Sequence, residues 1–385
     1  MNQTHLIKRR KDYKYPVITG GKGIYFYSKN KRYIDACGGA MVANLGYGVR
    51  EIADKIGKLA RKVGYLHGSQ FITKEQEDYA RDLCELTPLN RVLFVSGGSE
   101  AIETAVKLAI QYTGKHKIVS RIPAYHGSTI LAASLSSKEV DPFKRLLHKF
   151  PKFSTFEQLE EIIKDEDIAA VILEPIIGTA EGVIIPHEDY LSDIRKLCNE
   201  YKVLLIFDET LTGFGRTGKW FACDHWNVTP DIMVGAKGLA SGIVPLSAVF
   251  CKNKIIDGLD GDFQHGFTFE NNPFTMGVGK IVLDYMKKNH LLLICDWAGS
   301  YLLDKLRGFS RDYEIVEDVR GIGLLVAIEF KKPIAKQIVQ TAMKKGLNIY
   351  FSTDEKSIMI APYFAVTSKE INKIIKILKE IINNN

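Results

Sequence analysis

Val203-Leu204-Leu205-Ile206-Phe207-Asp208-Glu209-Thr210 and, further along, Ile232-Met233-Val234-Gly235-Ala236-Lys237-Gly238-Leu239 are the stretches whose reading decides the fold. The first opens with an unbroken apolar run and stops at two acids. Such a run predicts a strand covered on both faces, as inside a parallel sheet. Asp208 then stands at the strand's carboxyl end, the edge where open α/β sheets place their ligands. The second run ends at a lysine set among small residues. Poor solvation there lowers an amine's pKa and makes it available as a nucleophile. A solvated loop lysine after a buried strand is the alternative that these two runs leave open.

The two side chains also have a joint chemistry. An amine that condenses with a carbonyl, opposite an acid that keeps a ring nitrogen protonated, is what pyridoxal phosphate requires of its protein. Between the runs lie Thr212-Gly213-Phe214-Gly215-Arg216-Thr217-Gly218, then Phe221, then Asn227-Val228-Thr229-Pro230-Asp231. The whole pattern, D-E-x-x-T-G-F-G-R-T-G-x-x-F followed by P-D-I-x-x-x-A-K-G-L, resembles the signature of the class III aminotransferases. The resemblance covers about residues 13 to 378. It implies the type I fold of pyridoxal-phosphate-dependent transferases. That is an α/β architecture with a large domain, 41–289, around a mostly parallel seven-stranded sheet. A smaller α+β domain is expected from 1–40 together with 290–385.

Upstream, Arg91-Val92-Leu93-Phe94-Val95 predicts a strand, Ser96-Gly97-Gly98-Ser99-Glu100 a turn, and Ala101 to Tyr112 a helix. A strand, a glycine turn and a helix start together present backbone N–H groups and the positive end of a helix dipole to an anion. Gly98 and Ser99 are the expected phosphate cradle, and G-G-S-E-A-x-E-x-A-x-K-L-A matches the family. The competing dinucleotide fingerprint, Gly213 to Gly218, is separated from its strand by a polar loop, and no Walker lysine follows a glycine loop.

The remaining site residues come from the resemblance. Tyr125, in Ala124-Tyr125-His126-Gly127, is implied to stack on the cofactor ring, and His126 to act behind it. Glu174, before Pro175 at the end of the predicted strand Ala169 to Leu173, belongs to the same network. Thr210 is implied to cover the back of the ring. Thr268, in His265-Gly266-Phe267-Thr268-Phe269, is implied to reach the phosphate of a second subunit, so that a homodimer shares its active sites. Lys237 and Asp208 are the catalytic pair and pyridoxal 5'-phosphate is the cofactor. Gly38-Gly39-Ala40-Met41 is either a pocket wall or a packed bend. Tyr47, Tyr65 and Tyr350 are expected to line the substrate pocket.

Other elements follow from pattern. Gly23 to Tyr27 and Arg32 to Asp35 read as strands, as do Lys117 to Ser120 and Pro245 to Phe250. Helices are expected over Tyr190 to Glu200, Asp296 to Leu306 and Ile334 to Lys345, with Pro333 suited to the first turn of the last. Ile315 to Val319 reads as a strand that ends in the turn Arg320-Gly321-Ile322-Gly323. The segment 130–166 is shorter than the family usually shows.

Composition bounds the function. The chain has 385 residues, 46% hydrophobic and 25% charged, with a net charge of +7 spread along its length. Lys8-Arg9-Arg10-Lys11 reads as a solvated terminus rather than a nucleic-acid arm. Six scattered cysteines without a C-x-x-C argue against zinc or a disulfide framework and favour the cytoplasm. No apolar run reaches membrane-spanning length.

The chain departs from the family at Thr210, Leu211, Met359 and Tyr350. Asp208-Glu209-Thr210-Leu211 replaces D-E-V-Q, so Leu211 cannot hydrogen-bond the ring hydroxyl as the glutamine does. Members that handle α-carboxylates often carry arginine where this chain has Met359 or Tyr350. The expected reaction is therefore transfer of an amino group from an amine or ω-amino donor to a 2-oxo acid such as pyruvate or 2-oxoglutarate. Decarboxylation, racemisation or phospho-elimination on the same scaffold is the alternative. A binding protein that has lost the chemistry is the third reading.

Overall fold

The computed structural model describes residues 5–10, 13–137 and 147–384. Three strands come first: β1 Ile18–Lys22, β2 Tyr25–Ser28 and β3 Lys31–Asp35. Seven follow: β4 Arg91–Val95, β5 Lys117–Arg121, β6 Lys152–Phe153, β7 Ile168–Leu173, β8 Leu204–Asp208, β9 Ile232–Gly235 and β10 Ser247–Cys251. Five close the chain: β11 Val316–Ile322, β12 Leu325–Phe330, β13 Leu347–Asn348, β14 Tyr350–Phe351 and β15 Ser357–Ile360.

The middle seven make one sheet in the order β4-β10-β9-β8-β7-β5-β6. Its neighbours run parallel except β10, which is antiparallel to both β4 and β9. The unbroken apolar runs have a simple cause. On β8, Leu205 and Phe207 enter one core layer while Leu204 and Ile206 enter the other. β7 divides in the same way, with Val171 and Leu173 against Ala170 and Ile172. Alternate side chains leave opposite faces of a strand, so a strand covered twice has no polar position to spare. Each fully buried aliphatic or phenyl group there stabilises the fold by roughly 1.5–3 kcal/mol.

Two four-stranded sheets flank this core, ordered β1-β2-β3-β13 and β11-β12-β15-β14. The first joins both ends of the chain, because β13 pairs in parallel with β3. The sequence reading misses β1, whose residues are mostly exposed and lack an apolar alternation. It also stops β11 too early. The strand continues through Arg320 to Ile322 and pairs with Leu325 across a two-residue turn, Gly323-Leu324. Gly323 adopts φ +53, and a Cβ there would lie 2.5 Å from the Thr217 carbonyl carbon, so the glycines mark a packed hairpin tip rather than the end of the strand. The helices begin earlier than expected, at Gly98 and Leu291 instead of Ala101 and Asp296. The helix after Pro333 spans Ala335–Lys344, so the proline precedes its first turn. Part of the short segment 130–166, residues 138–146, lies outside the described residues.

Candidate active site

The carboxyl ends of β8 and β9 deliver Asp208 and Lys237 to one cavity of about 450 Å³. Asp208 is buried and accepts a hydrogen bond from His126 Nδ1 at 2.8 Å and from the Thr210 amide at 3.0 Å. A carboxylate can only accept, so the imidazole carries its proton on Nδ1. The His126 backbone is fixed in turn, its N–H donating to Ser136 Oγ at 2.9 Å. His126 and Asp208 therefore meet across the tips of β5 and β8, 82 residues apart in sequence.

Lys237 lies two residues beyond the end of β9 and has φ +41, left-handed for a non-glycine residue. Its side chain is partly exposed, toward the cavity. Burial lowers its pKa to about 8, while the carboxylates of Asp208 and Glu174 pull the other way. A substantial share of the amine is thus neutral near physiological pH. Glu174 ends β7 and accepts from the amides of Tyr125 at 3.2 Å and Gly178 at 3.4 Å. Burial pushes its pKa up to about 7, with the charge of Asp208 adding to the rise and His126 opposing it.

The helix Gly98–Thr113 starts at the rim of the same cavity, capped by Gly97. The Glu100 carboxylate accepts from the amides of Ser96, at 2.9 Å, and Gly97, at 3.3 Å. The first-turn amides of Gly98 and Ser99 have no acceptor within the helix and remain for an anion. Ser99 Oγ accepts from the Ser128 amide at 3.1 Å. That approach needs glycine at 127, where φ is +136 and a Cβ would sit 2.3 Å from the Ser99 hydroxyl. At Gly98 a Cβ would reach 3.3 Å from Thr210 Cγ2, which narrows the cradle. Among the described residues, two buried polar atoms of this site, His126 Nε2 and Thr210 Oγ1, have no hydrogen-bond partner. Free helix amides, an amine of lowered pKa, a fixed carboxylate and two polar atoms without a partner among the described residues, all on one cavity, fit a phosphorylated pyridine aldehyde.

Gly98, Ser99, Tyr125, His126, Glu174, Asp208, Thr210 and Lys237 all line this cavity. Thr268 does not. It lies exposed on the 265–272 loop. The three aromatic substrate candidates are also placed elsewhere. The Tyr47 hydroxyl donates to the buried carboxylate of Asp35 at 2.5 Å. Tyr65 packs edge-on against Phe269, with ring centroids 6.0 Å apart, on the exposed surface. Tyr350 lies opposite Met359 on the β14–β15 ladder and lines a separate cavity with Tyr13, Tyr15 and Phe351.

What lines the outer part of the site instead is apolar: Val42, Leu211 and Val244, with Thr179 beside them. Val42 follows the bend at Gly38–Met41, so that segment both packs, through Met41, and delivers a wall residue. Thr179 stands five residues after Glu174, a fixed offset from a motif the sequence displays. Its loop is clamped by Arg320, which donates to the carbonyls of Glu181, Gly182 and Val183 at 3.2, 2.8 and 2.9 Å. Met359 is fully buried in an apolar cluster with Met41 and Leu211. Arg216 is no substitute for a carboxylate clamp. It is fully buried and donates to the carbonyls of Leu324, at 3.0 Å, and Pro362, at 2.7 Å, and to Asn44 Oδ1 at 2.6 Å. Among the described residues lining the cavity, Lys237 is the only cation.

Comparison with known proteins agrees with this geometry. The family described as aminotransferase class-III matches residues 7–382. The chain is 33% identical to the uncharacterized aminotransferase YodT of Bacillus subtilis strain 168, over 98% of this chain and 97% of that protein. It is 35% identical to an acetylornithine aminotransferase of Methanosarcina mazei, over 94% of this chain and 91% of that protein. The crystal structure of the omega transaminase from Pseudomonas jessenii in complex with PMP superposes with a TM-score of 0.92 at 26% identity, covering 99% and 96% of the two chains. Because the match runs almost from end to end of the chain and of its relatives alike, this protein belongs to the class III aminotransferases, enzymes that move an amino group to a 2-oxo acid.

Proposed function

We propose that this enzyme holds pyridoxal 5'-phosphate at Lys237 and draws its amino group from an amine or the terminal amine of an ω-amino compound, with pyruvate or 2-oxoglutarate as acceptor. The observation that carries this reading is the amine of Lys237, lowered to about 8 and facing the Asp208–His126 pair in a cavity with a free helix start.

Each residue then has a task. The amides of Gly98 and Ser99 would hold the phosphate, and Tyr125 and Thr210 would hold the ring between them. Asp208, oriented by His126, would keep a proton on the ring nitrogen. When bound, pyridoxal phosphate supplies an aldehyde carbon for the amino group and a ring that accepts the electron pair released at the donor's carbon. Once the donor's amine has taken its place, the freed Lys237 Nζ would take the proton from the amine-bearing carbon of the donor, which its neutral form can do near pH 8. The apolar wall of Val42 and Leu211 excludes water from that proton transfer.

The donor class rests on the same wall. A carboxylate buried without a cation costs several kcal/mol, and the described residues of the cavity lining include no arginine. The Methanosarcina relative is named for acetylornithine. We also propose a homodimer in which Thr268 completes the partner's phosphate site, a division into domains at residues 41 and 289, and a cytoplasmic location, which the six free cysteines support. Half-reaction spectroscopy tests the donor. The pyridoxal band should be lost faster with terminal diamines and ω-amino acids than with alanine, glutamate or aspartate at equal concentration. Faster conversion by the α-amino acids would reject the donor class.

A further inference from the structure

The loop that carries Thr268 is attached to its own chain at both ends. At its far end Asn271 donates to the Phe94 carbonyl and accepts from the Phe94 amide, both at 2.9 Å. At its near end Gln264 and Asp262 are held by Gln111, and His265 by Thr104. Both holders lie on the helix Gly98–Thr113, whose first turn forms the phosphate cradle.

The Thr104–His265 contact is directional. Thr104 is buried, and its hydroxyl donates to the Glu100 carbonyl at 2.8 Å. Its lone pair then accepts from His265 Nε2 at 2.7 Å. Burial and the charge of Lys107 both lower the pKa of the ring, and its Nδ1 is buried with no hydrogen-bond partner among the described residues. The imidazole is thus committed to one bond. Glu100, whose carbonyl receives the Thr104 hydroxyl, also caps the Ser96 and Gly97 amides beside the cradle.

We propose that His265, through Thr104, is a positioning residue for the phosphate site of the partner subunit: it fixes the Thr268 loop to the cradle helix of its own chain, so that one helix sets one site at its start and supports the other one turn later. This rests on the shared-site reading above. A histidine that merely supported its own subunit would affect its own cradle. A histidine that positions Thr268 affects the other chain's.

The test reads the location of the defect. Heterodimers of a wild-type chain and a His265→Ala chain, carrying different affinity tags, are stripped of cofactor and incubated with limiting pyridoxal phosphate. They are then reduced with borohydride, and the label on each chain is measured by mass spectrometry. The expected result is roughly tenfold weaker loading of the wild-type chain, the scale of one lost hydrogen bond, with the His265→Ala chain loading normally. Thr104→Val, nearly isosteric, should do the same and carries the test should His265→Ala not assemble. Thr104→Ser should restore loading. Weaker loading of the variant's own chain, or equal loading of both, overturns the proposal. A Thr268→Val control separates the two levels. If its defect falls on its own chain, the shared-site reading fails and this inference with it. If the wild-type homodimer takes no label, the cofactor reading itself fails.

Discussion

Glu209→Gln probes the electrostatics behind the catalytic carboxylate. Glu209 follows Asp208 and is fully buried. The Cys223 amide donates to it at 2.8 Å and the Thr212 hydroxyl donates as well, but no cation among the described residues faces it. Burial raises its pKa from 4.5 to about 7, against the pull of those hydrogen bonds. A carboxyl raised on folding keeps its proton longer in the folded chain than in the unfolded one. Its contribution is therefore fully present below pH 4.5 and is lost as the pH rises through 7. A rise from 4.5 to about 7 amounts to about 3 kcal/mol between the two limits, of which about 2.5 kcal/mol is lost between pH 5 and pH 8. Glutamine keeps the shape without the charge. At pH 5 the variant should lie within about 1 kcal/mol of wild type, since one acceptor oxygen becomes an amide nitrogen. By pH 8 it should have gained about 2.5 kcal/mol on wild type. Glu174 titrates in the same range but is common to both proteins and cancels in the difference. With an unfolding entropy of about 2.1 cal/mol/K per residue, the gain corresponds to about 3 °C in Tm. Melting curves of the two apoproteins at matched concentration and a series of pH values measure it. A Tm difference that stays constant from pH 5 to pH 8 would refute the reasoning.

Borohydride reduction after incubation with pyridoxal phosphate should label Lys237, and a label confined to another lysine would remove the mechanism. Because the pKa of Lys237 is lowered to about 8, the capture rate should rise roughly tenfold per pH unit below that value and level off above it; a flat profile from pH 6 to 9 would contradict the assignment. Lys237→Ala should still bind the cofactor through the helix start while turnover falls by roughly 10²–10⁴ or more, as steady-state assays with equilibrium dialysis will show. Leu211→Gln should tighten pyridoxal phosphate binding by about 1 kcal/mol, the worth of one added hydrogen bond; unchanged affinity in dialysis would mean that position 211 does not face the ring.

The inner half of the site is legible in the sequence because chain topology alone assembles it. Asp208, Lys237 and Glu174 each end an unbroken apolar strand, and strands that are parallel neighbours bring their carboxyl ends to one edge. Gly98 and Ser99 are legible for the same reason, at the strand-to-helix turn. The outer half depends on contacts that no local pattern announces. Thr179 is placed by Arg320, more than a hundred residues away, and by the Thr353 amide, which donates to its carbonyl at 2.9 Å. Tyr47, Tyr65 and Tyr350 read as pocket aromatics, yet each has another partner: a buried carboxylate, a surface phenyl ring and a second cavity. An aromatic residue near a glycine bend has the same sequence signature in all these settings. The β11 hairpin shows the complementary error. Gly321 and Gly323 resemble the end of a strand when they in fact permit close backbone packing, and only the neighbouring Thr217 and Gly299 distinguish the two.

The pairing of β3 with β13 also carries a consequence for synthesis. Asp35, which gathers the amides of Cys37 and Gly39 and leads toward Val42 in the cavity wall, receives a hydrogen bond from Asn348, 313 residues later. At roughly 5–20 residues per second, a ribosome needs on the order of 15 to 60 s to reach that partner. During this interval the seven-stranded sheet can form from segments already emerged, but β1–β3 lack their fourth strand and expose the edge on which β13 will lie. The wall of the active site that Val42 provides is therefore among the last parts of the nascent chain to reach its final place. A translational pause between residues 251 and 347 would leave a folded core beside an unpaired strand edge, the condition under which a nascent chain most needs a chaperone.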